Sequence, residues 1–521
     1  MGKNRFQEKY GYAGKVTVLA LVSFVVRLLC ASVIEFGNDE VYYRLYALFP
    51  DWSHFDHPGM VGWVIQLFSL DLLWDSELGI RMAAVAIGTV NIFLVYLIGK
   101  ELSGGRTGWY AALLYVSSIY ASVICGVFIL PDTPQSMFWL ASMLFFIRAF
   151  FRDGGRNGYD MLLAGVFCGL AFLSKYTSVF LWLGAGLYII FADRSWLRSR
   201  WLYLAISATV LLALPVAVWN IDNDFISFTF HSERVVSQHV LHPEYFAREI
   251  GGEFFYNNPI LFILVFSAVA NAVRKTRVLS PARTAYLLMT GLPLILVFWT
   301  VSWQRATLPH WSGPGFITLV PLAAAWICAR PSPKAVRWVW AAVVFTGLLL
   351  PAALVEIRLG PVRLDNHTAP DEMGKYDFTL DMYGWKQLEG EFAEIRERSI
   401  ADSTALPEDP LFSYRWYPAA NLDYYVARPL EMDLFCAGPL KEIHKYKWIN
   451  ESRGGIREGM SGWFIVPGRD FRDPADLYSE DSDYSEYVFS EIYPVDTVEI
   501  MRAGKHVYNF FIYRVEDLKF R

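Results

Sequence analysis

The chain has 521 residues, 54% of them hydrophobic and 19% charged, with a mean hydropathy of +0.29. That balance excludes an ordinary soluble protein, and a net charge of −5 makes no case for binding nucleic acid. Residues 1 to about 357 carry repeated apolar runs, each near the ~20 residues that cross a ~30 Å hydrocarbon core, and residues 358 onward carry none. The expected fold is a polytopic all-α membrane domain, 1–357, followed by one α/β soluble domain, 358–521.

Eleven spans are read: 16–34, 79–99, 108–126, 132–150, 160–174, 176–193, 201–219, 259–273, 284–302, 312–329 and 335–357. The first ends in Val33-Ile34-Glu35-Phe36 rather than in small residues, so it reads as a retained span and not a cleaved signal. With the N-terminus cytoplasmic, the inside segments hold nineteen Lys and Arg and the outside loops five. Arg156, Lys275 and Arg277 are among the nineteen; Arg44, Lys175, Arg234, Arg248 and Arg305 are the five. An odd number of spans then places the C-terminal domain outside, with loops 35–78, 220–258 and 303–311. Cys30, Cys125, Cys168 and Cys328 fall in spans, which leaves Cys436 alone in the soluble domain and excludes a disulfide within it.

In chain order, the first unusual stretch is Gly37 to Met60, GNDEVYYRLYALFPDWSHFDHPGM. Two adjacent carboxylates, Asp39 and Glu40, follow the first span, and either type of group can take a proton from an acceptor hydroxyl or amine. Acids that merely mark the water boundary are the plainer alternative. Tyr42, Tyr43, Leu45, Tyr46 and Phe49 share one broad helical face, and Pro50 ends the run, which suggests a short helix lying in the interface plane. Asp56-His57 suits a catalytic pair or a loop-folding role, since adjacent side chains rarely face each other. Asp132, in Pro131-Asp132-Thr133-Pro134, reads as a helix start or a pocket-lining acid. Lys175 is the cation of a long apolar stretch, where ionisable groups are costly and snorkelling is the alternative. His231, His239 and His242 lie eight and three residues apart, which does not match a compact zinc motif. Arg305 and His310 add a second cationic group to the same outer face. Cations opposite a carboxylate base form the arrangement that sugar transfer from a lipid phosphate requires.

In the soluble domain GWKQLEGEFAEIRER is helical by period, and LFSYRWYPAANLDYYVA reads as a strand running into a helix. GWFIVPG and HVYNFFIYRV read as strands.

The stretch DEVYYRLYALFPDWSHFDHPGM resembles the acidic, tyrosine-rich and FDHP signature of bacterial GT-C membrane glycosyltransferases of the family-39 and family-83 group. That group contains protein O-mannosyltransferase-like enzymes and the lipid A aminoarabinose transferase. PDTP at 131–134, GLAFLSKYT at 169–177 and LPHWSGPGF at 308–316 look like further blocks of the group, and DMYGWKQLEGEF and YRWYPAANLDYYV like its outer-domain segments. Gly59 departs from the pattern, where proline is common.

The resemblance implies an inverting transferase at the periplasmic face of a bacterial inner membrane. Its donor would be a polyprenyl-phosphate-linked sugar, and its acceptor lipid A, another glycan or protein. Asp39 would be the base, with Glu40 beside it. Lys175, Arg305 and His310 would hold the donor phosphate, and Tyr42, Tyr43, Asp56, His57 and Asp132 would line the pocket or acceptor site. No cofactor is demanded by a monophosphate leaving group, and a divalent cation stays open. The rival readings are a transporter or flippase of lipid-linked sugars and a membrane assembly protein. A transporter predicts internal repeats and charges at mid-depth, neither of which stands out.

Overall fold

The computed structural model describes residues 2–152, 157–235, 240–274, 278–330, 333–479 and 481–521. His239, Arg156, Lys275 and Arg277 lie outside the described residues. The chain forms two compact units. One holds the residues up to Ser32 together with Pro50–Leu350; the other holds Val33–Phe49 together with Pro351–Arg521.

The first unit is helical. It comprises α1 (Gly2–Val33), α3 (Met60–Phe68), α4 (Glu77–Ser103), α5 (Gly105–Ser117), α6 (Asp132–Phe151) and α7 (Gly158–Ser174). It continues with α8 (Val179–Phe191), α9 (Arg200–Asp222), α10 (Ile226–Val235), α11 (Pro243–Tyr256), α12 (Pro259–Val273), α13 (Pro281–Ser302), α14 (Gly313–Ala329) and most of α15 (Pro333–Leu359). The helix α2 (Asn38–Leu48) belongs to the second unit. Among the described residues five helices are long and apolar enough to cross a membrane: Gly11–Val33, Glu77–Ser103, Arg200–Asp222, Pro281–Ser302 and Pro333–Leu359. The count is up to six if Pro243–Tyr256 and Pro259–Val273, which meet at 103°, form one broken span. Gly158–Ser174, Tyr176–Phe191 and Gly313–Ala329 are shorter apolar helices. Several of the eleven apolar stretches are therefore helices shorter than a full span.

Small residues and polar cross-links hold these helices together, since apolar surface alone gives little drive for association where the surroundings are apolar too. A Cβ on Gly165 of α7 would lie 2.3 Å from the Ala205 carbonyl of α9, so only glycine allows that approach. Ser142 donates to the Ala164 carbonyl at 3.0 Å, and Trp139 Nε1 to Thr318 Oγ1 at 2.8 Å. Each bond ties α6 to a neighbour through a buried group that would be costly if left unpaired.

The second unit is α/β. Its sheet has the order β2-β1-β3-β5-β4, from β1 (Leu411–Ser413), β2 (Leu434–Cys436), β3 (Gly462–Pro467), β4 (Tyr487–Arg502) and β5 (Lys505–Phe520). The β1–β2 and β1–β3 pairs are parallel, and β3–β5 and β4–β5 are antiparallel. α16 (Trp385–Ala401) turns Trp385, Leu388, Phe392 and Ile395 inward, the 3–4 spacing that the sequence shows. The helical, strand and strand–helix readings of this region all correspond to elements at those positions.

Candidate active site

In the first unit, Asp132 opens α6. Thr133 Oγ1 donates to the Phe128 carbonyl at 2.9 Å and accepts from Leu130 N, folding the preceding turn back on the helix start. At the other side α7 stops at Lys175, whose backbone is extended (φ −159°) while its N–H still reaches the Ala171 carbonyl. A single 3₁₀ turn, Tyr176–Ser178, leads into α8. Gln135 of α6 bonds Thr177 Oγ1 at 2.8 Å and Ser178 Oγ at 2.9 Å, which fixes this break against the start of α6. The break sets Lys175 Nζ 2.7 Å from Asp132 Oδ2, in a buried ion pair. Tyr120, in a π-helical turn after α5, donates to Asp132 Oδ1 at 3.2 Å.

Two imidazoles lie in the field of this pair. Burial pushes His57 down to about 3, with Asp56 opposing the shift and His231 and Lys175 adding to it. Burial pushes His310 down to about 4, against the pull of Asp132 and reinforced by Lys175. Both are therefore neutral hydrogen-bonding groups at neutral pH, which changes the expected part of His310 from cation to neutral donor or acceptor. His57 sits in a tight loop in which His54 N–H bonds the His57 carbonyl at 3.0 Å, and Ser227 of α10 donates to the His54 carbonyl at 2.8 Å. Asp56 is buried, and its carbonyl is bonded by His231 of α10. The His231 ring lies 5.6 Å from that of His57 and 5.2 Å from that of Tyr176, centroid to centroid. Arg305 is partly buried three residues beyond α13, its N–H on the Val301 carbonyl. Asp56, His57, Asp132, Lys175 and His310 thus form one electrostatically linked group. Tyr120, Gln135 and Tyr176 complete it without any local sequence signal, while His231 stood out only as a rejected metal ligand. Among the described residues no group of three or more His, Cys, Asp or Glu is placed to hold a metal ion.

Asp39, Glu40, Tyr42 and Tyr43 belong to the second unit. Asp39 is exposed in the first turn of α2, where a carboxylate complements the helix dipole. Glu40 is buried and turns back to accept the Gly37 N–H at 3.0 Å, as the third residue of a capping box does. Every residue from Glu40 to Ala47 is buried. Tyr42 packs on Trp416 at 5.1 Å, on Tyr43 and Tyr46 at 5.6 Å and on His444 at 6.1 Å. Phe36 N–H reaches Tyr425 OH at 2.7 Å. The segment is tied down by α17 (Trp416–Leu422) and the turns that follow it.

In sequence and fold the chain is similar to GT-C glycosyltransferases. Residues 56–219, which include Asp56, His57, Asp132 and Lys175, match the dolichyl-phosphate-mannose-protein mannosyltransferase family. The chain is 24% identical over 359 residues to the lipid A galacturonosyltransferase RgtD of Rhizobium johnstonii, covering 66% of this chain and 71% of that one. Its fold is similar to that of ArnT from Cupriavidus metallidurans bound to undecaprenyl phosphate. The TM-score is 0.62 at 15% identity, over 97% of this chain and 98% of that one. It is also similar to the Archaeoglobus fulgidus oligosaccharyltransferase tethered to an acceptor peptide, with a TM-score of 0.50 at 13% identity, over 94% of this chain and 73% of that one.

Proposed function

We propose that the protein is an inverting glycosyltransferase that moves a sugar from a polyprenyl-monophosphate donor to a lipid, glycan or protein acceptor at the periplasmic face of a bacterial inner membrane. The observation that carries this reading is the buried Asp132–Lys175 pair with His57 and His310 in its field, within a chain related to glycosyltransferases. An ammonium has three donors, and Asp132 takes one. The others serve the phosphate of the donor, with Arg305 as a second cation and His310 as a neutral hydrogen-bonding partner. These groups stabilise the charge that develops on phosphate as the anomeric carbon–oxygen bond breaks. Asp39 accepts the proton of the acceptor hydroxyl or amine as it attacks the anomeric carbon from the opposite side, inverting it. Glu40 is the neighbour of Asp39 on the acceptor side, and Tyr42, Tyr43, Asp56, His57 and Asp132 are the proposed pocket or acceptor residues.

The lipid monophosphate in the ArnT crystal structure supports the donor class, and the name of the Rhizobium relative supports lipid A among the acceptors. In this reading eleven apolar segments traverse the bilayer, several of them short. The N-terminus is cytoplasmic, residues 1–357 form the membrane catalytic domain, and residues 358–521 lie in the periplasm. The test is transfer from a panel of radiolabelled polyprenyl-phosphate sugars in membranes, comparing wild type with Asp39→Asn. Label reaching a lipid or protein with wild type alone supports the reading. No transfer from any donor by well-folded protein would overturn it in favour of a transporter.

A further inference from the structure

The helix α11 carries two carboxylates that the proposed chemistry does not use. Glu249 and Glu253 are four residues apart, hence on one face of the helix, and neither is accessible to solvent. Each accepts hydrogen bonds from uncharged side chains. Thr307 Oγ1 donates to Glu249 Oε2 at 2.7 Å, Ser312 Oγ to Glu253 Oε1 at 2.5 Å, and Trp299 Nε1 to Glu253 Oε2 at 2.6 Å. Glu249 Oε1 is buried with no hydrogen-bond partner. Burying carboxyl groups against neutral donors is costly, so the arrangement needs a return elsewhere in the structure.

The partners of α11 lie along the segment 303–312. At its start, His242 N–H bonds the Trp303 carbonyl at 2.7 Å, and the Phe246 ring stacks on Trp303 at 4.5 Å and 17°. Glu249 then holds Thr307. Gly252 lies so close to Pro309 that a Cβ would fall 2.1 Å from Pro309 Cγ. Glu253 holds Ser312. Four successive contacts along one helix therefore grip a ten-residue segment at both ends and twice between them. Arg305 and His310 sit between the gripped positions.

We propose that α11 is a rigid template for this segment. Glu249 and Glu253 are positioning residues that set Arg305 and His310 for the phosphate of the lipid-linked donor. The assignment rests on the reading that those two residues meet the donor phosphate, and it adds what fixes them. Glutamine at 253 keeps the grip, its carbonyl accepting from Trp299 and its amide donating to Ser312 Oγ. Alanine releases it.

The experiment uses the full chain in nanodiscs, with undecaprenyl monophosphate as the probe, and follows amide hydrogen exchange across 303–312. Glu253→Ala should weaken probe binding about tenfold, with Glu253→Gln restoring it to within about threefold of wild type. Exchange in 304–312 should rise in the alanine variant alone. With a transferable donor, KM should rise more than kcat falls. Ser312→Ala cuts one of the Glu253 bonds from the other side and Thr307→Val cuts that of Glu249, and they replace the alanine variant if it fails to fold. Arg305→Ala and His310→Ala separate the two layers of the argument. If these bind the probe as wild type does, the donor-phosphate reading falls. If they lose binding while Glu253→Ala, Thr307→Val and Ser312→Ala keep it, the template proposal falls and the donor reading stands.

Discussion

Replacing Lys175 by methionine keeps most of the side chain's length and volume and deletes its charge. Its ammonium lies 2.7 Å from Asp132 Oδ2, with side chains 7% and 3% exposed. Removing one partner of a buried pair strands the other charge, at a cost of ~3–5 kcal/mol. Asp132 keeps the bond from the uncharged Tyr120 hydroxyl at 3.2 Å, long for an O–H donor, which offsets ~1 kcal/mol of the cost of the stranded charge, so a loss of about 3 kcal/mol is expected. Adding Asp132→Asn removes the stranded charge and should return ~2 kcal/mol, a coupling within the range for directly bonded residues. The assay is a four-variant unfolding cycle in nanodiscs followed by tryptophan emission, with sugar transfer measured in parallel. The double variant should recover stability and not transfer. A Lys175→Met protein as stable as wild type, or a double variant no more stable than the single, would refute the reasoning.

Asp39→Asn should lower transfer by ~10²–10⁴-fold while leaving donor binding intact, because it removes a proton acceptor and no phosphate contact; a rate within tenfold of wild type would remove Asp39 as the base. Glu40→Ala should cost ~1 kcal/mol of stability through the lost cap on the Gly37 N–H, with Glu40→Gln milder, as thermal unfolding would show. A Cβ at Gly313 would lie 2.3 Å from the Tyr120 ring, so Gly313→Ala should displace the hydroxyl from Asp132 and depress transfer. Unchanged kinetics in that variant would mean Tyr120 is not needed in place. For His57 and His310 the folded values, about 3 and about 4, lie below the ~6.5 of a free imidazole, so the unfolded chain binds more protons. Their contribution to stability is whole above pH ~6.5 and is lost as pH falls through that value towards the folded ones. The thermal midpoint should therefore drop below pH 6, and the drop should be shallower in His57→Gln.

Elements that stand on local pattern were legible in the sequence. The 259–273 stretch is α12 to the residue, and α16, β3 and β5 follow from period and turn residues. β4 was missed because Pro494 and a run of polar residues interrupt its alternation; it is an edge strand, bonded to β5 alone, with a register shift at Pro494/Asp496. The Lys175–Asp132 pair was read as two separate candidates, because a bond across 43 positions leaves no spacing signal. Glu40 was read as the neighbour of Asp39, and its bond from the Gly37 N–H adds a local role that the sequence reading did not include. The aromatic face of α2 suggested an interface helix because a single sequence shows which residues are apolar and not what covers them. Here Trp416 and His444, remote in the chain, pack on Tyr42.

The membership of residues 33–49 in the C-terminal unit has a consequence for biosynthesis. The segment bearing Asp39 leaves the ribosome early, yet Trp416, Tyr425 and Lys445, which secure it, emerge about 400 residues later. At ~5–20 residues per second that is a wait of roughly 20–80 seconds, during which the tyrosine-rich helix α2 lacks these partners. Nascent chains stalled before residue 410 should therefore leave this segment open to protease, and release of the completed chain should close it.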